Sequence, residues 1–106
     1  MPYIPAADRA ELDECVELLA RLVGTEASQR HAGLRVMRPY LTIAGRLNYV
    51  LTRLVMRALP VGTYASLALA TGVLENVKQE MYRRSGAPYE DTACRRNGDI
   101  PEYEGR

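Results

Sequence analysis

Pro39-Tyr40-Leu41-Thr42-Ile43-Ala44-Gly45-Arg46-Leu47-Asn48-Tyr49-Val50-Leu51-Thr52-Arg53-Leu54-Val55-Met56-Arg57-Ala58-Leu59-Pro60 is a stretch bounded by prolines. Pro39 suits the first position of a helix, where its missing N–H would be unpaired anyway, and Pro60 marks the end. On a wheel of about 100° per residue, Ala44, Leu47, Leu51, Leu54, Val55 and Ala58 fall on one side. Arg46, Arg53 and Arg57 fall together on the opposite side, with Tyr49 beside them. Asn48 lies at the edge of the apolar face and needs partners for its amide if it is buried. An amphipathic helix of this kind needs further helices to cover its apolar side.

Working outward, a preceding helix is predicted from about Asp8 to Val23. Asp8 and Glu11 resemble a capping box, Glu11, Asp13 and Glu14 crowd the positive end of the helix dipole, and Gly24 supplies a stop. Leu12, Val16, Leu19 and Val23 recur at helical spacing and mark its core face. Residues 25–38 show no clean period and contain Gly33, which reads as a loop with one helical turn at most. Beyond Pro60-Val61-Gly62, Thr63 is a candidate N-cap for a third helix reaching about Arg84, with Gly86 ending it. Its first half, Ala65 to Leu74, is apolar nearly all round, so it calls for cover on several sides. A few short helices supply little cover, which predicts a homo-oligomer that buries this segment between subunits.

Gly72 inside that helix costs about 1 kcal/mol relative to alanine, which points to a close crossing or a break. Val73, Val77 and Met81 take the core side of the second half, while Asn76, Glu80, Arg83 and Arg84 line one edge. Glu80 and Arg84 have the favourable order for an intrahelical ion pair. Pro88 opens a short fourth helix with Glu90 and Asp91 in its first turn, and Asn97-Gly98 stops it. The tail from Asp99 to Arg106 should be extended, docked by Ile100 and Tyr103 or loose. The expected fold is therefore all-α: one domain over residues 1–106, a small helical bundle of three main helices plus a short fourth helix and an extended C-terminal tail. A length of 106 residues suits one core rather than two.

With 47% apolar and 25% charged residues the composition is that of a folded chain rather than a disordered one. No apolar run approaches the roughly 18 residues that a membrane span needs. The start, Met1-Pro2-Tyr3-Ile4-Pro5, does not read as a secretory signal, so a cytoplasmic location is expected. Cys15 and Cys94 lack metal-type or redox-type spacing and read as reduced thiols. His31 is the single histidine, and nothing near it supports a Cys-His pair or a zinc site.

Net charge is only +1, but its distribution is uneven. Residues 1–26 hold six acids against two arginines, whereas residues 27–74 hold Arg30, Arg35, Arg38, Arg46, Arg53 and Arg57 and no acid. From Glu75 onward seven acids face six bases. Thirteen of the fourteen basic residues are arginine, whose planar fork matches carboxylate and phosphate. The basic stripe is short and flanked by acidic segments, which argues against nucleic acid as a partner.

Several strings occur together: Gly45-Arg46-Leu47-Asn48-Tyr49, Tyr64, Gly72-Val73-Leu74-Glu75, Lys78-Gln79-Glu80-Met81-Tyr82-Arg83-Arg84, Pro88-Tyr89-Glu90-Asp91 and Asn97-Gly98-Asp99. With the Met1-Pro2-Tyr3-Ile4 start they resemble a family of short, uncharacterised helical proteins of bacteria and phages, classed as a domain of unknown function. The resemblance implies a helical fold and carries no activity with it.

Three chemistries remain open. In a binding reading, Arg46, Arg53, Arg57, Arg83 and Arg84 grip an anionic, nucleotide-like ligand, Tyr49 or Tyr82 stacks on its base, and Asn48 and Glu80 complete the set. In a phage, such a protein would sequester nucleotide signals. In an enzymatic reading, Glu75, Glu80, Glu90, Asp91 and Asp99 hold Mg²⁺ for a nucleotide phosphohydrolase. The second helix lacks any acid, however, and Glu75 and Glu80 stand about 140° apart on their helix, which departs from the two-helix carboxylate pattern. In a purely structural reading, the acidic first helix neutralises the arginine-bearing second one, in the same subunit or a neighbour. The first reading needs no cofactor, and its partners are a second copy of the chain and the small anion.

Overall fold

The computed structural model describes residues 2–24, 39–60 and 62–105, and every regular element among them is helical. The expected loop at 25–38, with Arg30, His31, Gly33, Arg35 and Arg38, lies outside the described residues, as does Val61. The elements are α1 (Ala6–Val23), α2 (Pro39–Ala58), α3 (Tyr64–Met81), a π-helical turn (Tyr82–Gly86), α4 (Ala87–Asn97) and a 3₁₀ turn (Pro101–Tyr103). None of the helices among the described residues is long and apolar enough to cross a membrane. The chain divides into two compact units, Tyr3–Leu67 and Met1–Pro2 with Ala68–Arg106.

In the first unit, α1 starts at Ala6, directly after Pro5, rather than at Asp8. The Asp8–Glu11 capping box does not form; the Pro5 carbonyl opens the helix by accepting from the N–H groups of Asp8 (3.0 Å) and Arg9 (3.2 Å). Because Pro5 fixes its own φ and lacks an N–H, it sets the entry of the chain without a side-chain cap. Gly24 is the expected stop. Its N–H donates to Ala20 O at 2.8 Å, and a Cβ there would lie 2.7 Å from that same oxygen. A backbone atom cannot step aside, so glycine is required at this helix end.

The α2 boundaries follow the prolines, with Leu59 N–H adding one last bond to Val55 O. Which face meets α1 differs from expectation. Gly45, Arg46, Tyr49 and Val50 stand opposite Leu19, Leu22 and Val23, while Leu47, Leu51 and Leu54 are exposed. Leu12 and Val16, expected in the core, are exposed as well. The wheel identifies apolar surface that needs cover, and among the described residues α1 meets α2 on another side and only along residues 45–50.

α3 begins as expected. Thr63 Oγ1 accepts from Ser66 N–H at 3.2 Å and Ser66 Oγ accepts from Thr63 N–H at 3.3 Å, a reciprocal cap that satisfies two otherwise orphaned donors. The helix passes Gly72 without a break, and apart from the helix's own nearby backbone nothing lies within 4 Å of the place a Cβ would occupy there. Val73, Val77 and Met81 are exposed instead of forming a core side; among the described residues only Val23 and Ala70 are buried apolar groups.

In the second unit, Gly86 does not end the helix. The path widens into the π turn, closed by Ala87 N–H to Tyr82 O, and continues into α4. A π turn relieves the clash that Pro88 would otherwise impose on the preceding turn. Gly86 instead makes room for an aromatic ring, since a Cβ there would stand 2.7 Å from Cδ2 of Tyr82. Gly98 stops α4 with φ of 90°, a conformation that favours glycine, and its N–H donates to Cys94 O at 2.8 Å. The tail is extended at Ile100, as expected, and then closes into a 3₁₀ turn over Pro101–Tyr103, with Ile100 and Tyr103 exposed.

Candidate functional site

The sequence-predicted site residues fall into two groups, one in each unit. The first lies on α2. Arg46 reaches across to α1, where Nη2 (2.6 Å) and Nε (3.1 Å) both donate to Leu22 O. That carbonyl belongs to the last turn of α1, where carbonyls lack intrahelical partners and the helix dipole is negative. Arg46 therefore caps α1 and ties it to α2. Beside it a cleft of ≈410 Å³ opens between Leu19, Leu22 and Val23 on one helix and Gly45, Tyr49 and Val50 on the other. Farther along, Arg53 Nη1 donates to Tyr49 Oη at 3.2 Å, with its guanidinium 5.9 Å from the ring centroid. Asn48 is exposed, and its carbonyl accepts from Thr52 Oγ1 at 2.8 Å. Arg57 occupies the last turn of α2, a favourable place for a cation.

The second group lies on α3 and the π turn. Asn76, Gln79, Glu80 and Arg83, with Pro2, line a polar cleft of ≈240 Å³. Glu80 accepts a fork from Arg83, Nη2 to Oε1 at 2.6 Å and Nε to Oε2 at 3.2 Å. The expected partner was Arg84. Positions three and four residues on are both neighbours on a helix, and Arg83 is the one that achieves the bidentate geometry with this carboxylate. The Glu80 side chain is only 21% exposed, so this pair borders a partly desolvated site. Tyr82 lies along the helix over Gly86 with its ring mostly open to solvent. Gln79 and Pro2 join the cleft without being among the sequence-predicted site residues. Gln79 follows Asn76 at helical spacing, a signal that was present; nothing in the sequence placed Pro2 against α3.

The five carboxylates of the metal reading do not converge. Glu75 pairs with Lys78 at 3.3 Å and accepts from Gln79 Nε2 at 3.4 Å, Glu80 takes Arg83, and Asp99 Oδ1 accepts from its neighbour Ile100 N–H at 2.8 Å. Among the described residues no three acids, histidines or cysteines form a group able to hold a metal ion. Partial desolvation raises the pKa of the Cys94 thiol above its usual value. The Asp99 carboxylate raises it further through its charge and by accepting the S–H hydrogen bond, and Asp91 adds to the effect. A thiol held protonated in this way is a poor nucleophile.

The fold that carries these two clefts is that of a small all-helical protein. Residues 1–100 match the family model of the Domain of unknown function (DUF6899), and the chain belongs to that family. No curated protein and no solved structure matches it.

Proposed function

We propose that this chain is a self-associating helical interaction module whose partner is a second copy of itself. The observation that carries the reading is the exposure of α3: Leu67, Leu69, Val73 and Leu74 stand open along its apolar half, where Ala70 alone is buried. Each leucine fully covered on association contributes about 1.5–3 kcal/mol, so this surface favours assembly over a lone chain. The exposed thiols of Cys15 and Cys94 suit a reducing compartment, and we assign the module to the cytoplasm.

The nucleotide-like anion draws weaker support. Arg46 is engaged by a carbonyl, Arg53 by Tyr49 and Arg83 by Glu80, so an incoming phosphate would have to displace an existing contact at each. A Mg²⁺-dependent phosphohydrolase draws less still, since its carboxylates are dispersed. Size-exclusion chromatography with light scattering across micromolar concentrations tests the proposal. A mass of twice the chain or more is expected, and a monomer at every concentration would overturn it.

A further inference from the structure

The contact between α1 and α2 engages only part of each helix, and what it leaves uncovered is complementary. In α1 the cleft takes Leu19, Leu22 and Val23, all near its C-terminal end. The rest of the helix carries an open apolar stripe, with Leu12 52% and Val16 57% exposed, edged by acids and, in its first turn, by Arg9, whose Nε donates to Ile4 O at 2.8 Å. Glu11 and Asp13 stand about 100° to either side of Leu12, and Glu17 continues the Asp13 edge. In α2, Ala44, Leu47, Leu51, Leu54 and Ala58 follow the alternating three- and four-residue spacing of a two-helix seam. Leu47, Leu51 and Leu54 are exposed along it. Arg53 and Arg57 stand about 100° and 60° from Leu54 around the axis, so one edge of the seam is basic.

Within the chain these charges do not meet. Both ion pairs among the described residues lie in α3 and the turn after it, Glu75 with Lys78 and Glu80 with Arg83. The acidic apolar part of α1 and the basic apolar part of α2 thus match each other in surface chemistry while remaining unjoined.

Resting on the self-association proposed above, we infer that two copies form a two-fold dimer. In it the acidic stripe of α1 from one copy lies on the leucine seam and arginine edge of α2 from the other. Two-fold symmetry makes this contact twice, since whatever α1 of the first copy does to α2 of the second is repeated in reverse. Apolar residues supply the affinity and the charges select the partner and its register. Arg46 keeps its place at the intrachain junction.

Two charge-reversed proteins test the inference: Glu11→Lys with Asp13→Lys and Glu17→Lys, and Arg53→Glu with Arg57→Glu. Alone, each sets like charges against each other in both contacts, and we expect its dimer dissociation constant to rise roughly 10- to 100-fold in sedimentation equilibrium. Mixed in equal amounts, the two restore opposite charges in both contacts, so a heterodimer with affinity within about tenfold of the unaltered dimer is expected. If either variant loses helicity by circular dichroism, the unaltered protein decides: its dissociation constant must rise as salt is raised from about 0.05 to 0.5 M.

The inference is overturned if both variants dimerise as tightly as the original chain, in which case self-association stands and this surface does not carry it. It is overturned equally if the mixture stays monomeric while a single chain bearing all five reversals recovers, because the charges would then pair within one chain. A salt-independent dissociation constant overturns it as well. A monomeric unaltered chain removes both the surface and the module reading.

Discussion

Leu69→Ala isolates the contribution of the α3 surface to assembly. Leu69 is 56% exposed on a helix whose neighbouring apolar positions, Leu67 and Val73, are also open. Complete burial of a leucine side chain is worth about 2–3 kcal/mol relative to full exposure. A little over half of that surface is still open, so covering it on association would recover about 1–1.5 kcal/mol per copy. Two copies lose it together in a symmetric dimer, a total of about 2–3 kcal/mol, which corresponds to a dissociation constant raised about 30- to 150-fold. The same substitution should leave the isolated chain almost untouched, because alanine is the stronger helix former and no packed neighbour is removed. Sedimentation equilibrium measures the first quantity. The concentration dependence of the melting temperature measures the second, since only the assembled form gains stability by mass action. An unchanged dissociation constant, or an equal loss of stability at concentrations where the chain is monomeric, would refute the reasoning: the residue would then be either outside every interface or inside a core.

Three further outcomes follow from local contacts. Arg46→Ala removes the fork that caps α1 at Leu22 O and should lower stability by about 1 kcal/mol in urea unfolding, with Arg46→Lys restoring only part because it lacks the planar fork. Gly86→Ala should gain nothing in the original chain, because its methyl displaces the Tyr82 ring, yet should stabilise a Tyr82→Ala chain by about 1 kcal/mol through helix propensity, a difference that a double-mutant cycle reads directly. Cys94 should react with iodoacetamide more slowly in the folded protein than in urea near pH 8. The raised pKa leaves less thiolate at a given pH, so the rate profile midpoint shifts upward, and Asp99→Asn should bring it down toward the unfolded value.

Features that depend on nearby backbone were legible in the sequence. Thr63 caps α3, Gly24 and Gly98 stop their helices, and Pro39 and Pro60 bracket α2, because each acts on atoms only a few residues away. Gly86 was misread for a related reason. A glycine that ends a helix and a glycine that makes room for a ring four residues earlier look alike in a string of letters, and only the side-chain path of Tyr82 separates them. The pairing of helices was less legible still. Periodicity marked Leu47, Leu51 and Leu54 as surface in need of cover, but it does not say what covers them, and α1 met Arg46 and Tyr49 instead. At the polar cleft, Asn76, Glu80 and Arg83 were visible as one edge of a helix, while Pro2 was not, since no local rule ties a residue at the start of the chain to one far along it.

The absence of acids from α2 takes on a physical meaning when the helix is set beside α3. Along α3 and the turn after it, two of the three bases are answered locally: Lys78 by Glu75 and Arg83 by Glu80, each three residues apart. Such pairs satisfy the charges within the helix and leave little field for anything outside it. In α2, an acid at position 49, 50, 56 or 57 would do the same for Arg53, but Tyr49, Val50, Met56 and Arg57 stand there. Tyr49 gives Arg53 a hydroxyl acceptor and a ring face without cancelling its charge. Among the described residues no acid pairs with Arg53 or Arg57, and in the dimer inferred above their charge would meet a partner. A small anion would find that charge on a mostly exposed helix beside leucines, where it would stay hydrated and screened. A second helix that brings acids on the edges of an apolar stripe uses the charge and the leucines together, and α1 is such a helix.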